Sequence, residues 1–81
     1  MTTLQRAELG SRRCQYRFRF REVLEVRGYT CTALALELGV SVAAVTRTIR
    51  GSLHSPAVLD WFKKQGLPEE ILCDPRSYTS L

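Results

Sequence analysis

One histidine, His54, and three cysteines, Cys14, Cys31 and Cys73, are all that the 81-residue chain offers to soft metals or to nucleophilic catalysis. The cysteines are odd in number and far apart, so they form neither a disulfide framework nor a zinc-ligand spacing, and a reducing compartment is implied. No second histidine and no paired carboxylate stands near His54, which reads as a loop or capping residue rather than a ligand. A glycine-rich phosphate loop is missing, as is any grouping of nucleophile, base and orienting residue. Neither an enzyme nor a cofactor is therefore expected. Long apolar runs are also missing: no segment approaches the roughly 20 residues needed to cross a bilayer. The N-terminus lacks the apolar stretch of a signal peptide, which predicts a cytoplasmic protein with no membrane partner. Internal repeats and low-complexity runs are absent.

What is present has a globular balance, with 44% hydrophobic and 25% charged residues, enough apolar material for one small domain. Twelve Lys and Arg against eight Asp and Glu give a net charge of +4, which favours anionic partners. The distribution is uneven. Residues 1–27 hold seven Arg against three Glu, whereas residues 52–81 hold three basic and four acidic groups. Between Glu37 and Asp60 there is no acidic side chain, although Arg47 and Arg50 lie there, so phosphate meets no like-charge repulsion in that stretch.

Glycines 28, 39, 51 and 66 divide the chain into lengths of about one short helix each, and glycine is the preferred residue just past a helix end. Phe20, Val23 and Leu24 have helical spacing in a segment ending at Arg27. Its start is ambiguous, because Tyr16, Phe18 and Phe20 alternate with Arg17, Arg19 and Arg21 as in a strand. A helix from about Arg17 is the favoured reading. Thr30 can cap a second helix whose inner face is Cys31, Leu34, Ala35 and Leu38. Ser41 can cap a third, with Val45 and Ile49 inward and Thr46, Arg47 and Arg50 elsewhere. Ser55, as a capping hydroxyl, and Pro56 start a fourth helix to about Gln65, carrying Val58, Leu59 and Phe62 with Trp61 beside them. A last turn follows Pro68, with Glu69 and Glu70 at its positive end. The expected architecture is an all-α bundle of four to five short helices over residues 16–74. Residues 1–15 are expected as a flexible basic tail and 75–81 as a C-terminal tail.

The stretch Thr30–Gly51, TCTALALELGVSVAAVTRTIRG, has the pattern of a helix-turn-helix. Ala35 is small where the helices cross, Gly39 sits where positive φ is required, and Leu34, Leu38, Val40, Val45 and Ile49 supply the buried faces. GVSVAAVTRTIRG resembles the turn and recognition helix of lambda-repressor-like regulators. The wider run from Val23 to Tyr78, with RGYTCTALALELGVS, GLPEEI and PRSY, looks like the Ner-like regulators of Mu-type phages. That resemblance implies a small wingless DNA-binding repressor of phage or prophage transcription. This chain departs from the family at Val42, Ala43 and Ala44, where more polar side chains are usual, and at Thr48, where an apolar one is common.

A third helix in the major groove predicts base-facing positions at Ser41, Val42, Ala43, Thr46 and Arg47. Arg47 suits guanine, and Val42 and Ala43 suit thymine methyls. Thr46 also suits phosphate. Further phosphate contacts are predicted for Arg50 and for the helix start near Thr30 and Thr32. Arg12 and Arg13 are either a minor-groove arm or a tail binding nothing specific. The small contact area of one module predicts a homodimer on paired half-sites of double-stranded DNA. Two rivals stand beside this reading. One is a helical protein-interaction module that does not bind DNA specifically; the other is a membrane-surface helix built on the Arg/Phe alternation near residue 18.

Overall fold

In a computed structural model, which describes residues 2–78, six α-helices and a closing 3₁₀ turn account for the fold, with no strand among the described residues. In chain order they are α1 (Thr3–Gln15), α2 (Arg17–Arg27), α3 (Cys31–Leu38), α4 (Val42–Arg50), α5 (Pro56–Lys64) and α6 (Glu69–Leu72), followed by the turn Pro75–Tyr78. The bundle is all-α, as its spacing predicts. The boundaries of α2 to α6 follow the local signals. Gly28, Gly39 and Gly51 end α2, α3 and α4 with φ of 74°, 70° and 89°, values a residue with a Cβ adopts only at a cost. Thr30 and Ser41 cap α3 and α4 through hydroxyls that each accept an N–H three residues on, both at 3.0 Å. Ser55 differs: it precedes Pro56 at the start of α5, but its hydroxyl makes no cap bond, and its N–H donates to Thr48 Oγ1 at 3.4 Å.

The core is one cluster. Phe20 and Leu24 of α2, Leu34 and Ala35 of α3, Val45 and Ile49 of α4, and Val58, Leu59 and Phe62 of α5 meet Leu67, Ile71 and Leu72. Phe20 and Phe62 pack edge to face with centroids 4.8 Å apart, an aromatic geometry that adds to the area they bury. Trp61, half-buried, stacks edge-on against Tyr29, whose hydroxyl donates to Glu37 at 2.7 Å and ties the α2–α3 turn to α3. Helix α4 is central, touching α1, α2, α3 and α5.

The N-terminal segment departs from expectation. Instead of a flexible tail, residues 3–15 form α1, opened by a capping box in which Thr2 and Gln5 exchange side-chain and backbone bonds at 2.7 and 3.1 Å. The helix is held with little apolar burial: only Leu9 enters as a large apolar side chain, beside Gly10 and Arg13. Gly10 packs directly on Gly51 at the end of α4, where a Cβ on either glycine would run into the other's carbonyl oxygen. At the other end, Asp74 and Pro75 are buried, and Arg76 pairs with Asp74 and Asp60, both at 2.7 Å. Burial pushes the Asp74 carboxyl up, but its bonds from Arg76 outweigh this and hold it below the usual range. The fold thus continues past residue 74, where a tail was expected; residues 79–81 of that expected tail, like Met1, lie outside the described residues.

Candidate nucleic-acid interface

Three residues separate α3 from α4, and across them the helix direction turns by 113°, within the roughly 90–120° of helix-turn-helix units. The turn is built locally. Val40 donates its N–H to the Ala35 carbonyl at 3.0 Å, Gly39 takes the left-handed conformation, and buried Ala35 lets the two helices approach. No neighbour lies within 4 Å of a Cβ added to Gly39, so its conformation rather than space explains the glycine.

Helix α4 has two unlike faces. Val45, Thr48 and Ile49 are buried, while Ala43, Thr46, Arg47 and Arg50 follow one another at i, i+3, i+4 and i+7, one stripe on the opposite side. Ala43, Arg47 and Arg50 are exposed and Thr46 is half-buried; its hydroxyl bonds back to the Val42 or Ala43 carbonyl, both at 3.2 Å, leaving acceptor capacity outward. Val42 stands at the leading edge, 42% exposed. Ser41 is exposed; its oxygen accepts the Ala44 N–H and keeps its hydroxyl proton and a second lone pair for a partner. Among the described residues the ion pairs all belong to Arg76, and Arg47 and Arg50 therefore present positive charge that no carboxylate compensates.

At the start of α3 the Thr30 hydroxyl is committed to Ala33. The N–H groups of Cys31 and Thr32 are the first-turn donors left for an acceptor, with exposed Thr32 beside them. Arg12 is exposed on α1. Arg13, expected as a DNA-contacting or idle tail residue, is instead fully buried. Its five N–H donors are all used: Nε on the Leu72 carbonyl at 2.6 Å, Nη1 on those of Thr48 and Leu53 at 2.9 and 3.0 Å, and Nη2 on Cys73 O at 2.9 Å and His54 Nδ1 at 2.8 Å. The physical reason is that α1 places Leu9 and Arg13 four residues apart on its inward face, against carbonyls near the ends of α4 and α6 that have a lone pair left to accept. Arg13 is thus a structural residue and no part of the interface.

His54 lies in the loop before α5, as expected. Because a guanidinium only donates, Nδ1 of His54 must accept, which keeps the ring neutral. Burial, then the charges of Arg13 and Arg6, hold its pKa below the ordinary 6.5. Thr48, polar where the family resemblance implies an apolar residue, is buried with its hydroxyl satisfied: it donates to the Ala44 carbonyl at 2.6 Å and accepts from the Ser55 N–H.

Two basic residues near the interface escaped the sequence reading. Arg17 and Arg21, one helical turn apart on α2, line a small groove with Cys31 of α3 and Thr46, Ile49 and Arg50 of α4. Their i, i+4 spacing was the available signal, obscured by the alternation with Phe18 and Phe20 that reads equally as a strand. No group of three or more His, Cys, Asp or Glu side chains that could hold a metal occurs among the described residues. No single helix there is long and apolar enough to cross a membrane. Compared with known proteins, the chain matches no family model, no curated protein and no solved structure.

Proposed function

We propose that this chain is a sequence-specific double-stranded DNA-binding regulator, which reads the major groove with α4 and represses transcription by occupying an operator. The observation that carries this reading is the stripe Ala43, Thr46, Arg47 and Arg50, outward-facing and free of carboxylates, on the second helix of a pair bent by 113°. In that pose Arg47 takes a guanine edge, and Val42 and Ala43 lie against thymine methyls. Arg50, Thr32 and the free N–H groups of α3 take phosphates. The resemblance of GVSVAAVTRTIRG to phage-type repressors supports repression and a cytoplasmic setting. The chain acts by binding alone, without catalysis or cofactor. A single module of this kind covers about 600–1,000 Å², so two copies on an inverted repeat are proposed for useful specificity.

Selection of bound duplexes from a random library at near-physiological salt tests this. An enriched inverted repeat, bound tightly and in a steeply salt-dependent way, is the expected result. A library that yields no preferred sequence overturns the reading. A second reading, a protein-interaction module, is favoured by Leu36 of α3, which is 80% exposed on the outer side of the helix pair. An apolar contact centred there is insensitive to salt, which separates the two.

A further inference from the structure

The groove between α2 and α4 gathers three guanidinium-bearing residues from two helices around about 80 Å³, and no carboxylate lines it. Arg17 is held in place: Nη1 donates to the Cys14 carbonyl at 3.0 Å, and the guanidinium lies 4.8 Å above the Phe18 ring. Its Nε and Nη2 donors have no partner among the described residues, and neither have the guanidiniums of Arg21 and Arg50. Like charges collected at one place repel, and no carboxylate among the described residues pairs with them there. The groove also borders Thr46 and Arg50, members of the recognition stripe, so a duplex lying on that stripe brings its backbone past the opening. Arg forks match phosphate oxygens in shape and charge.

We infer that Arg17 and Arg21 close together on a single backbone phosphate of the bound duplex, a clamp on α2 that lies beside Arg50 of the recognition helix and rests on the DNA-reading role proposed for α4. The occupant is a DNA phosphodiester rather than a free anion, because the groove opens beside the stripe that meets the duplex. Arg17 and Arg21 share one phosphate, and this gives the clamp a distinctive signature: removing both arginines costs the interaction with one phosphate, not two.

The experiment is the salt dependence of binding to the selected duplex for the unmodified chain, Arg17→Gln, Arg21→Gln and the double variant, with phosphate-ethylation interference on the same complexes. Arg21 is exposed and its side chain bonds to none of the described residues, so Arg21→Gln controls for any loss of folding in variants lacking the Arg17–Cys14 contact. The clamp predicts that each single substitution weakens binding several-fold. In the double variant the slope of log K against log salt falls by about one, and one ethylated phosphate ceases to interfere. A fall of about two, with two phosphates lost, overturns the shared clamp in favour of separate contacts. An unchanged slope and footprint also overturns it, while leaving DNA reading by α4 intact. If the unmodified chain selects no duplex, the underlying reading fails and the clamp with it. Inorganic phosphate that binds the free protein at this groove, shifting the Arg17 and Arg21 resonances, in the absence of a duplex footprint there assigns the site to a free anion and overturns the proposal.

Discussion

Arg13 and Arg47 are the same residue type in opposite surroundings. Arg13, near the end of α1, is wholly inside the protein, and every one of its five N–H groups meets an acceptor. Arg47, in the last turn of α4, is exposed and has no ion pair among the described residues. Burial of a guanidinium is costly unless its donors are all met, and Arg13 satisfies that condition on carbonyls near the ends of α4 and α6, on the Leu53 carbonyl and on His54 Nδ1. Burial lowers its pKa, while the charges of Asp74 and Glu69 act in the other direction, and it remains a cation. The difference teaches that a basic side chain is assigned by accounting for its partners: Arg13 commits its donors to the fold, and Arg47 leaves its own facing outward. Counting charge along the chain cannot separate the two.

The contrast is broken most directly at Arg13. Arg13→Ala leaves four carbonyls and His54 Nδ1 without their donor, and a loss of stability of at least about 3 kcal/mol is expected in urea denaturation. Arg13→Lys, with three donors in place of a planar five, restores only part of it. A loss below about 1 kcal/mol for the alanine variant would show that α1 is held by other means. At Arg47 the pattern reverses. Arg47→Ala should leave stability within about 0.5 kcal/mol of the parent, yet weaken binding to the selected duplex by about 1–3 kcal/mol. Binding to random duplex should change less. Equal losses on the two duplexes would move Arg47 to the phosphate class.

The smallest expected effect sharpens the comparison through pH. His54 is neutral in the fold because it accepts from Arg13, and its pKa is depressed below 6.5. Its contribution to stability is therefore fully present above about pH 6.5, the unfolded value, and is lost as pH falls through the lower folded value. Denaturation midpoints measured between pH 7 and 5 should decline for the parent chain and decline less for His54→Gln. Parallel curves for the two would remove His54 from the Arg13 network.

Much of this molecule was legible residue by residue. The ends of α2, α3 and α4 follow from Gly28, Gly39 and Gly51, and the starts of α3 and α4 from Thr30 and Ser41, because helix caps are local chemistry within a few residues of the chain. The division of α4 into a buried and an outward face was likewise legible from the 3.6-residue period. Helix α1 was not, although the capping-box pair Thr2 and Gln5 was there to be read. Its inward face is Leu9, Gly10 and Arg13, and neither a glycine nor an arginine counts as apolar in any periodic pattern. Thr48 was visible only as a departure from what the resemblance implies, since its satisfaction depends on Ala44 within the helix and on the Ser55 N–H in the following loop.

Taken alone, the sequence determined the all-α class, five of the six helices and the turn that bends α3 against α4, all consequences of interactions spanning a few residues. Only the tertiary structure decided which arginines serve the fold and which face outward. Arg13 meets its acceptors 35 to 60 residues away in sequence, and Arg17 and Arg21 reach the flank of α4 only after α2 has packed. Partners separated by so much chain leave no periodicity or spacing to read, because their proximity is created by folding itself.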